Sequence, residues 1–144
     1  MPKGTSDRTW SRKRTAPAPS ESSLTFDASS VGEQLANASP NALNRASFGI
    51  VRLDDDGLVQ FFNRYESDLS GVDSEEAEGR HFFTQVAPCT NNWLFRGRFR
   101  KGVRRDDLDE TFTYTYTYEM HPTLVDVHLY RDASKNNWIM VQEH

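Results

Sequence analysis

The chain has 144 residues, of which 36% are apolar, a formal net charge of -4 and one cysteine. One cysteine excludes an internal disulfide and a multi-cysteine metal site, and no apolar run approaches the roughly 18 residues that a membrane span requires. The acidic balance argues against wholesale nucleic-acid binding, so we expect one soluble, cytoplasmic domain that carries no signal peptide.

Residues 1–25 differ in composition from the rest of the chain. They are rich in Ser, Thr and Pro, and five basic against two acidic side chains give them a charge of +3. Such a segment buries too little surface to offset its chain entropy, so we predict a disordered tail. A contact of this tail with acidic lipid, nucleic acid or a partner is the less favoured alternative.

The domain itself is predicted to cover residues 26–144. Its first part, 26–45, contains two short helical patterns with little apolar surface, so we expect a small helical cap that docks weakly. The next predicted elements are strands at 48–53 and 58–63 and short helical turns at 64–67, 74–79 and 81–85.

Residues 92–105 contain the longest helical pattern. Apolar residues recur every fourth position on one narrow face, and the other sides carry basic residues. We interpret these basic sides as a solvated face. A surface for a partner or for nucleic acid is the less favoured interpretation.

Three antiparallel strands are predicted to close the chain. Residues 111–120 alternate aromatic or Met side chains with polar ones, which is typical of a half-buried strand. Further strand patterns occupy 125–130 and 138–141. Together with the opening hairpin they predict an α+β fold: a five-stranded antiparallel sheet with short helices and one longer connecting helix.

The single cysteine, Cys89, lies in a loop, 86–90, between two segments rich in aromatic residues. Pro88 restricts the backbone directly before it, which suits a point of attachment, although most lone cysteines are small buried apolar residues. A nucleophilic cysteine requires a base, and a metal site requires suitably spaced ligands. The histidines meet neither condition; they are His81, His121, His128 and His144. We therefore expect neither an enzyme nor a metal site.

Glu66 follows a strand pattern rich in phenylalanine and lies beside Tyr65. A carboxyl that faces an apolar pocket is protonated or paired, because burial disfavours its charged form. The residue pattern alone favours the commoner case, in which this helix residue faces solvent.

Several segments together resemble the photoactive yellow protein family. Residues 82–90, FFTQVAPCT, are similar to the family's chromophore-attachment loop, and the similarity extends from about residue 26 to the C-terminus. The other similar segments are FG at 48–49, LDDDG at 53–57, NRYESDLSG at 63–71, FTYTYTYEMHPT at 112–123 and VDVH at 125–128. The resemblance implies a PAS-type sensor fold.

The resemblance further implies that 4-hydroxycinnamic (p-coumaric) acid is joined to Cys89 as a thioester. Glu66 would be the buried, protonated carboxyl that hydrogen-bonds the phenolate oxygen, and Ser70 would support it in place of a threonine. Met120 would assist thermal recovery. The other residues implied to line the chromophore are Phe62, Val72, Ala87, Tyr116 and Tyr118.

Two of these positions depart from the family pattern. Phe62 stands where the family usually has a tyrosine that donates to the phenolate, and Val72 stands where it usually has an arginine over the ring. A hydrogen bond to a charged group contributes about 1.5–3 kcal/mol, so the missing hydroxyl is expected to raise the pKa of the chromophore. A pH titration of the visible band tests this. Tyr65 or a water molecule would be the alternative donor.

The resemblance implies a blue-light photoreceptor that works as a switch without turnover. Light would isomerise the chromophore from trans to cis, move the proton of Glu66 to the phenolate and release the cap, 26–45, for signalling. We expect a monomer that acts on an unidentified downstream signalling protein, with neither a membrane nor nucleic acid as its partner. The alternative is a PAS-like interaction module without a chromophore, in which Cys89 is simply buried.

Overall fold

Five antiparallel strands form one sheet in the computed structural model, which describes residues 24–26, 30–117 and 122–144. The strands are β1 (Gly49–Leu53), β2 (Val59–Phe62), β3 (Asp109–Tyr116), β4 (Thr123–Arg131) and β5 (Asn137–Glu143). Their order across the sheet is β2-β1-β5-β4-β3. The predicted α+β fold with a five-stranded antiparallel sheet is therefore confirmed, whereas most of the predicted tail, 1–25, lies outside the described residues.

The helices of the described residues are short. They are α1 (Val31–Asn37), α2 (Pro40–Arg45), α3 (Arg64–Ser70), α4 (Ser74–Ala77) and α5 (Arg96–Arg105), with a π-helical turn at Phe82–Val86 and a 3-10 turn at Pro88–Thr90. The prediction that the longest helix begins at Asn92 is wrong. The side-chain oxygen of Asn92 accepts a hydrogen bond from the backbone N–H of Phe95 at 3.0 Å, which favours a turn ahead of α5. None of these helices has the length and apolar character that crossing a bilayer requires.

Side chains of β1 alternate between two apolar clusters on opposite faces of the sheet, because successive residues of a strand point to opposite sides. Val51 and Leu53 belong to one cluster, which we call the helix-side cluster, and Ile50 belongs to the other, the cap-side cluster. The buried members of the cap-side cluster are Val31, Leu35, Leu43, Phe48, Ile50, Trp138 and Met140. The helix-side cluster contains most of the phenylalanines and the side chains around Cys89.

The predicted cap corresponds to α1 and α2, which cover the cap-side cluster. Val31 and Leu35 are at most 1% exposed. The backbone of α1 lies directly on the ring of Tyr130, since a Cβ atom at Gly32 would be only 2.6 Å from carbons of that ring. Glycine therefore allows the helix to approach the sheet closely, so that a few apolar side chains suffice to hold the cap.

Arg131 joins the β1–β2 turn to the residue that ends α5. Its side chain is 7% exposed and contacts Asp55 and Asp106, with nitrogen to oxygen distances of 2.7 Å each. It also donates to the side-chain oxygen of Asn137 at 2.8 Å. Lys135 binds the second oxygen of Asp106. The network thus holds together the turns at one end of the sheet.

Acid is expected to weaken this network. The hydrogen bond from Arg131 lowers the pKa of Asp55 below its ordinary value of 3.8. The pKa of Asp106 is lowered as well, mainly by the hydrogen bond from Lys135 and secondly by that from Arg131. A carboxyl with a lowered pKa stabilises the fold above its ordinary value, and this stabilisation is lost as the pH falls through the folded pKa. Arg131→Met should therefore lower the free energy of unfolding, measured in urea, by more at about pH 7 than at about pH 2.

At neutral pH the expected loss for Arg131→Met is about 1–2 kcal/mol, because the buried Asn137 loses a partner while the half-exposed carboxylates regain water. Arg80→Met, at an exposed arginine, is the control and should change the unfolding free energy by less than about 0.5 kcal/mol. An equal loss at both pH values for Arg131→Met would contradict the ionic explanation.

Candidate functional site

Cys89 lies in the 3-10 turn between the π-helical turn and α5. Its side chain is half-buried and packs against the helix-side cluster. The hydroxyl of Thr90 donates to the carbonyl of Ala87 at 2.6 Å, and the hydroxyl of Tyr114 donates to the carbonyl of Cys89 at 2.5 Å. The amide of Asn92 donates to the Tyr114 oxygen. The backbone on both sides of the thiol is therefore held in place.

Aromatic rings surround Phe95, which is fully buried close to Cys89 in the chain. Ring centroids 5.2 to 6.3 Å from that of Phe95 belong to Phe82, Phe83, Phe112, Tyr114 and Tyr116. These distances are typical of favourable edge-to-face and offset ring pairs. The region next to the thiol is therefore a wall of packed rings, which suits a planar aromatic group.

Glu66, in the first turn of α3, is 0% exposed. Its carboxyl lies against the backbone of Gly49, because a Cβ atom built at that glycine would overlap the Oε1 oxygen. Gly49 has the same parity in β1 as Val51 and Leu53, so the space that the carboxyl occupies is on the face of the helix-side cluster. The solvent-facing orientation favoured by the residue pattern is wrong, and the burial implied by the family resemblance is what the structure shows.

Asn63 connects the start of α3 to β1 and to the cap. Its fully buried side-chain oxygen accepts from the backbone N–H groups of Glu66 at 3.0 Å and Ile50 at 2.9 Å. Its amide nitrogen donates to the carbonyls of Leu43 at 2.8 Å and Phe48 at 3.0 Å. Sequence reasoning missed this residue. An Asn three residues before a Glu at a helix start is a typical N-cap signal. This signal indicates the bond to Glu66 but not the bonds to β1 and to the cap.

The other predicted site residues divide into three groups. Phe62, Ala87 and Tyr116 are buried members of the helix-side cluster, and Val72 packs against them half-buried. Ser70 is buried at the end of α3 and accepts from the backbone N–H of Val72 at 3.1 Å. The structure therefore brings Cys89, Phe62, Val72, Ala87 and Tyr116 into one cluster on one face of the sheet. The remaining two, Tyr118 and Met120, lie outside the described residues.

Tyr65, considered above as a replacement donor for Phe62, is half-buried. Burial raises its pKa, and a hydrogen bond with the backbone of Glu143, at the end of β5, opposes that increase. The hydroxyl of Tyr65 is thus already engaged at the end of the sheet.

The described histidines contact carboxylates or an aromatic ring. The Nε2 atom of His128 contacts Asp109 at 2.6 Å, and the Nδ1 atom of His144 contacts Asp126 at 2.8 Å. The ring of His81 lies edge-on to an aromatic neighbour. Within the described ranges there is also no group of three or more side chains that could hold a metal ion.

Known proteins resemble the chain over most of its length. No protein-family model matches it. The photoactive yellow protein of Halochromatium salexigens is 37% identical over 118 residues, which cover 81% of this chain and 94% of the relative. The photoactive yellow protein of Rhodothalassium salexigens is 33% identical over 120 residues, or 83% of this chain and 96% of the relative.

Among solved structures, the photoactive yellow protein domain from the sensor histidine kinase Ppr of Rhodospirillum centenum has a similar fold. It superposes with a TM-score of 0.73 at 33% sequence identity, over 77% of this chain and 98% of that domain. The similarity in sequence and the similarity in fold therefore point to the same group of proteins.

Proposed function

Because the chain belongs to the photoactive yellow protein family and has its PAS-type fold, we propose that it is a blue-light photoreceptor with p-coumaric acid bound to Cys89 as a thioester. Bound there, this pigment supplies the absorption of blue light and a double bond that light isomerises from trans to cis. The observation that carries the proposal is the buried Glu66 carboxyl, on the same sheet face as the Cys89 thiol.

The residues present fit such a pigment. Cys89 offers a thiol on a turn whose backbone is held by Thr90 and Tyr114. The packed rings around Phe95 provide an apolar wall for an aromatic group. Glu66 provides a buried carboxyl that can hydrogen-bond a phenolate oxygen. Phe62, Ser70, Val72, Ala87, Tyr116, Tyr118 and Met120 are proposed to complete the site.

Glu66 has the central role in the proposed switch. Burial disfavours the charged form of a carboxyl, so this residue would be protonated in the dark and donate a hydrogen bond to the phenolate oxygen. In the light this carboxyl would pass its proton to the phenolate oxygen. The resulting carboxylate would be left in an apolar interior, which costs several kcal/mol unless the surroundings rearrange.

A direct path of hydrogen bonds leads from Glu66 to the cap. Asn63 accepts from the backbone N–H of Glu66 and donates to the carbonyl of Leu43 in α2. Beside it, the backbone N–H of Arg64 donates to the side chain of Asn44 at 3.1 Å. A shift at the start of α3 would loosen both links. We therefore propose that light releases the cap, 26–45, for a downstream signalling protein, because weakly held elements open first.

A second candidate function is a PAS-like interaction module without a pigment, in which Cys89 is only a packing residue. Phe62 favours this candidate, because its buried ring offers no hydrogen bond to a phenolate. Val72 favours it too, since a hydrocarbon side chain supplies no positive charge. Both candidates place the protein in signalling, and they differ in whether the thiol is acylated.

Reconstitution of the full chain with activated p-coumarate separates the two candidates. The purified protein should turn yellow, gain the mass of one acyl group on the peptide that contains Cys89, and bleach reversibly under blue light. Cys89→Ala and Cys89→Ser should stay colourless and unlabelled, and circular dichroism would show that they are folded. If the folded wild-type chain stays colourless and unlabelled, the photoreceptor proposal is wrong and the interaction module is favoured.

A further inference from the structure

Helix α5 carries a positive charge that is mostly unpaired among the described residues. Its ten residues include six basic and no acidic side chains, in a protein whose net charge is -4. Among the described residues, Arg98 is the one member of this helix in an ion pair, with Glu110 at 2.8 Å. The acidic residue that follows the helix, Asp106, is held by Arg131. The other five basic side chains have no carboxylate ion-pair partner in the described ranges. Arg96 is half-buried, donates to the side-chain oxygen of Asn91 at 2.9 Å and lies over the ring of Phe83, whereas Arg100 and Arg104 are exposed.

Three of these residues, Arg96, Arg100 and Arg104, are spaced by four and lie on one side of α5; we call them the arginine stripe. Like charges four residues apart on a helix repel each other and lower its stability. The stripe is therefore not explained by the stability of α5 itself. Its arrangement is that of a surface that meets negative charge on something outside the domain.

Exposed apolar side chains lie directly before the arginine stripe. Trp93 is 80% exposed and Leu94 is 43% exposed. In the described part of the chain, only one other large apolar side chain, Leu124, is exposed. Tryptophan and arginine are enriched among the residues that dominate binding energy at protein interfaces. An exposed Trp–Leu pair beside three arginines therefore indicates a surface for another protein.

The stripe also borders a groove between α5 and the β1–β2 turn. The groove is lined by Phe83, Phe99, Val103, Arg96, Arg100, Arg104, Asp55 and Asp56. Asp55 is paired with Arg131, but the carboxylate of Asp56 would repel a continuous polyanion, such as a nucleic-acid duplex or an anionic bilayer, that approached the stripe. A protein segment that alternates apolar and acidic faces avoids this repulsion, because it can present carboxylates to the stripe alone.

We propose that Trp93, Leu94 and the arginine stripe form a docking surface for an acidic amphipathic segment of another protein. Apolar residues of the segment would cover Trp93 and Leu94, and its carboxylates would pair with the arginines. The surface adjoins the proposed pigment loop, because Asn92, one residue before Trp93, is hydrogen-bonded to Tyr114. The identification of this partner as the signalling target rests on the proposed function.

The test uses a synthetic helical peptide with leucine on one face and glutamate on the other, titrated into the pigment-loaded full chain. Binding should be saturable, and NMR shifts should map to Trp93, Leu94 and α5. Arg100→Glu and Trp93→Ala should each weaken binding about tenfold. Arg80→Glu is the matched control, since it makes the same change in net charge, from -4 to -6, and should alter the affinity by less than about twofold.

Several outcomes would overturn the docking proposal. The first is that Arg80→Glu and Arg100→Glu lower the affinity for the peptide equally. The second is that a peptide with lysine in place of glutamate binds as tightly as the acidic one. The third is that duplex DNA or phosphatidylserine vesicles bind more tightly than the peptide does, in a manner that depends on Arg100. An Arg100-dependent dimer without peptide would assign the surface to a second copy. The visible absorption band of the same samples separates the docking proposal from the photoreceptor proposal. If the protein bleaches normally but does not bind the peptide, only the docking proposal is wrong. If the protein is colourless but binds the peptide, only the photoreceptor proposal is wrong.

Discussion

Replacing Asn63 with alanine is expected to lower the free energy of unfolding by about 3–5 kcal/mol. The substitution removes four hydrogen bonds from a side chain that is 0% exposed. It leaves the backbone groups of Ile50, Glu66, Leu43 and Phe48 without this partner, and an unsatisfied buried polar group costs about 1–3 kcal/mol. Urea unfolding followed by circular dichroism measures the change.

The control for this prediction is Asn41→Ala, at an exposed position of α2, which should change the stability by less than about 0.5 kcal/mol. If Asn63→Ala does not fold, Asn63→Asp keeps an acceptor oxygen for Glu66 and Ile50 while losing both donated bonds. In that variant the amides of α1 and α2 should exchange hydrogen faster in the dark than they do in wild type. Unchanged exchange in the cap would show that Asn63 does not hold it.

Gly49→Ala is expected to displace the carboxyl of Glu66. The added methyl group would overlap the Oε1 oxygen, and overpacking of this kind in a core typically costs about 1–3 kcal/mol. In the pigment-loaded protein the visible band should shift, because the proposed hydrogen bond from Glu66 to the phenolate oxygen would be lengthened or lost. Thermal unfolding and an absorption spectrum of the same sample measure the two effects.

A glycine of α5 provides the matched control for Gly49→Ala. At Gly97 a new Cβ atom would be 3.5 Å from its nearest neighbour, an ordinary contact, so Gly97→Ala should stabilise the helix by up to about 1 kcal/mol. A double-mutant cycle then isolates the clash: in a Glu66→Ala background, Gly49→Ala should cost much less. If the cost is the same in both backgrounds, the carboxyl does not occupy the space beside Gly49.

The strands could be predicted from the sequence because their patterns are local. In β3, Phe112, Tyr114 and Tyr116 alternate with exposed threonines, and the observed burial follows that alternation. The start of α5 could not be predicted in this way. Residues 92–95 contain no Gly or Pro that would stop a helix, and only the hydrogen bond from the backbone N–H of Phe95 to the side-chain oxygen of Asn92 shows why the helix begins later.

The candidate site was only partly predictable, for the same physical reason. The loop around Cys89 is a contiguous motif, so its resemblance to a known family is visible in the sequence. The contact of Gly49 with Glu66 and the bond from Asn63 to Leu43 join residues 17 and 20 positions apart through the folded backbone. No local spacing encodes them. The pattern-based expectation for Glu66 was wrong because a short helix over a sheet can bury a polar residue in its first turn.

Adjacent residues of β1 serve different clusters: Gly49 borders the Glu66 carboxyl, and Ile50 lies beneath the cap. Consecutive residues of a strand are about 3.3 Å apart and point to opposite faces, so the two clusters are close to each other although different side chains form them. Under the proposed mechanism, substitutions beside Glu66 would change the absorption of the pigment, and substitutions beneath the cap would change how long the cap stays released. Asn63 bonds to both sides, so a change made beside Glu66 also reaches the cap.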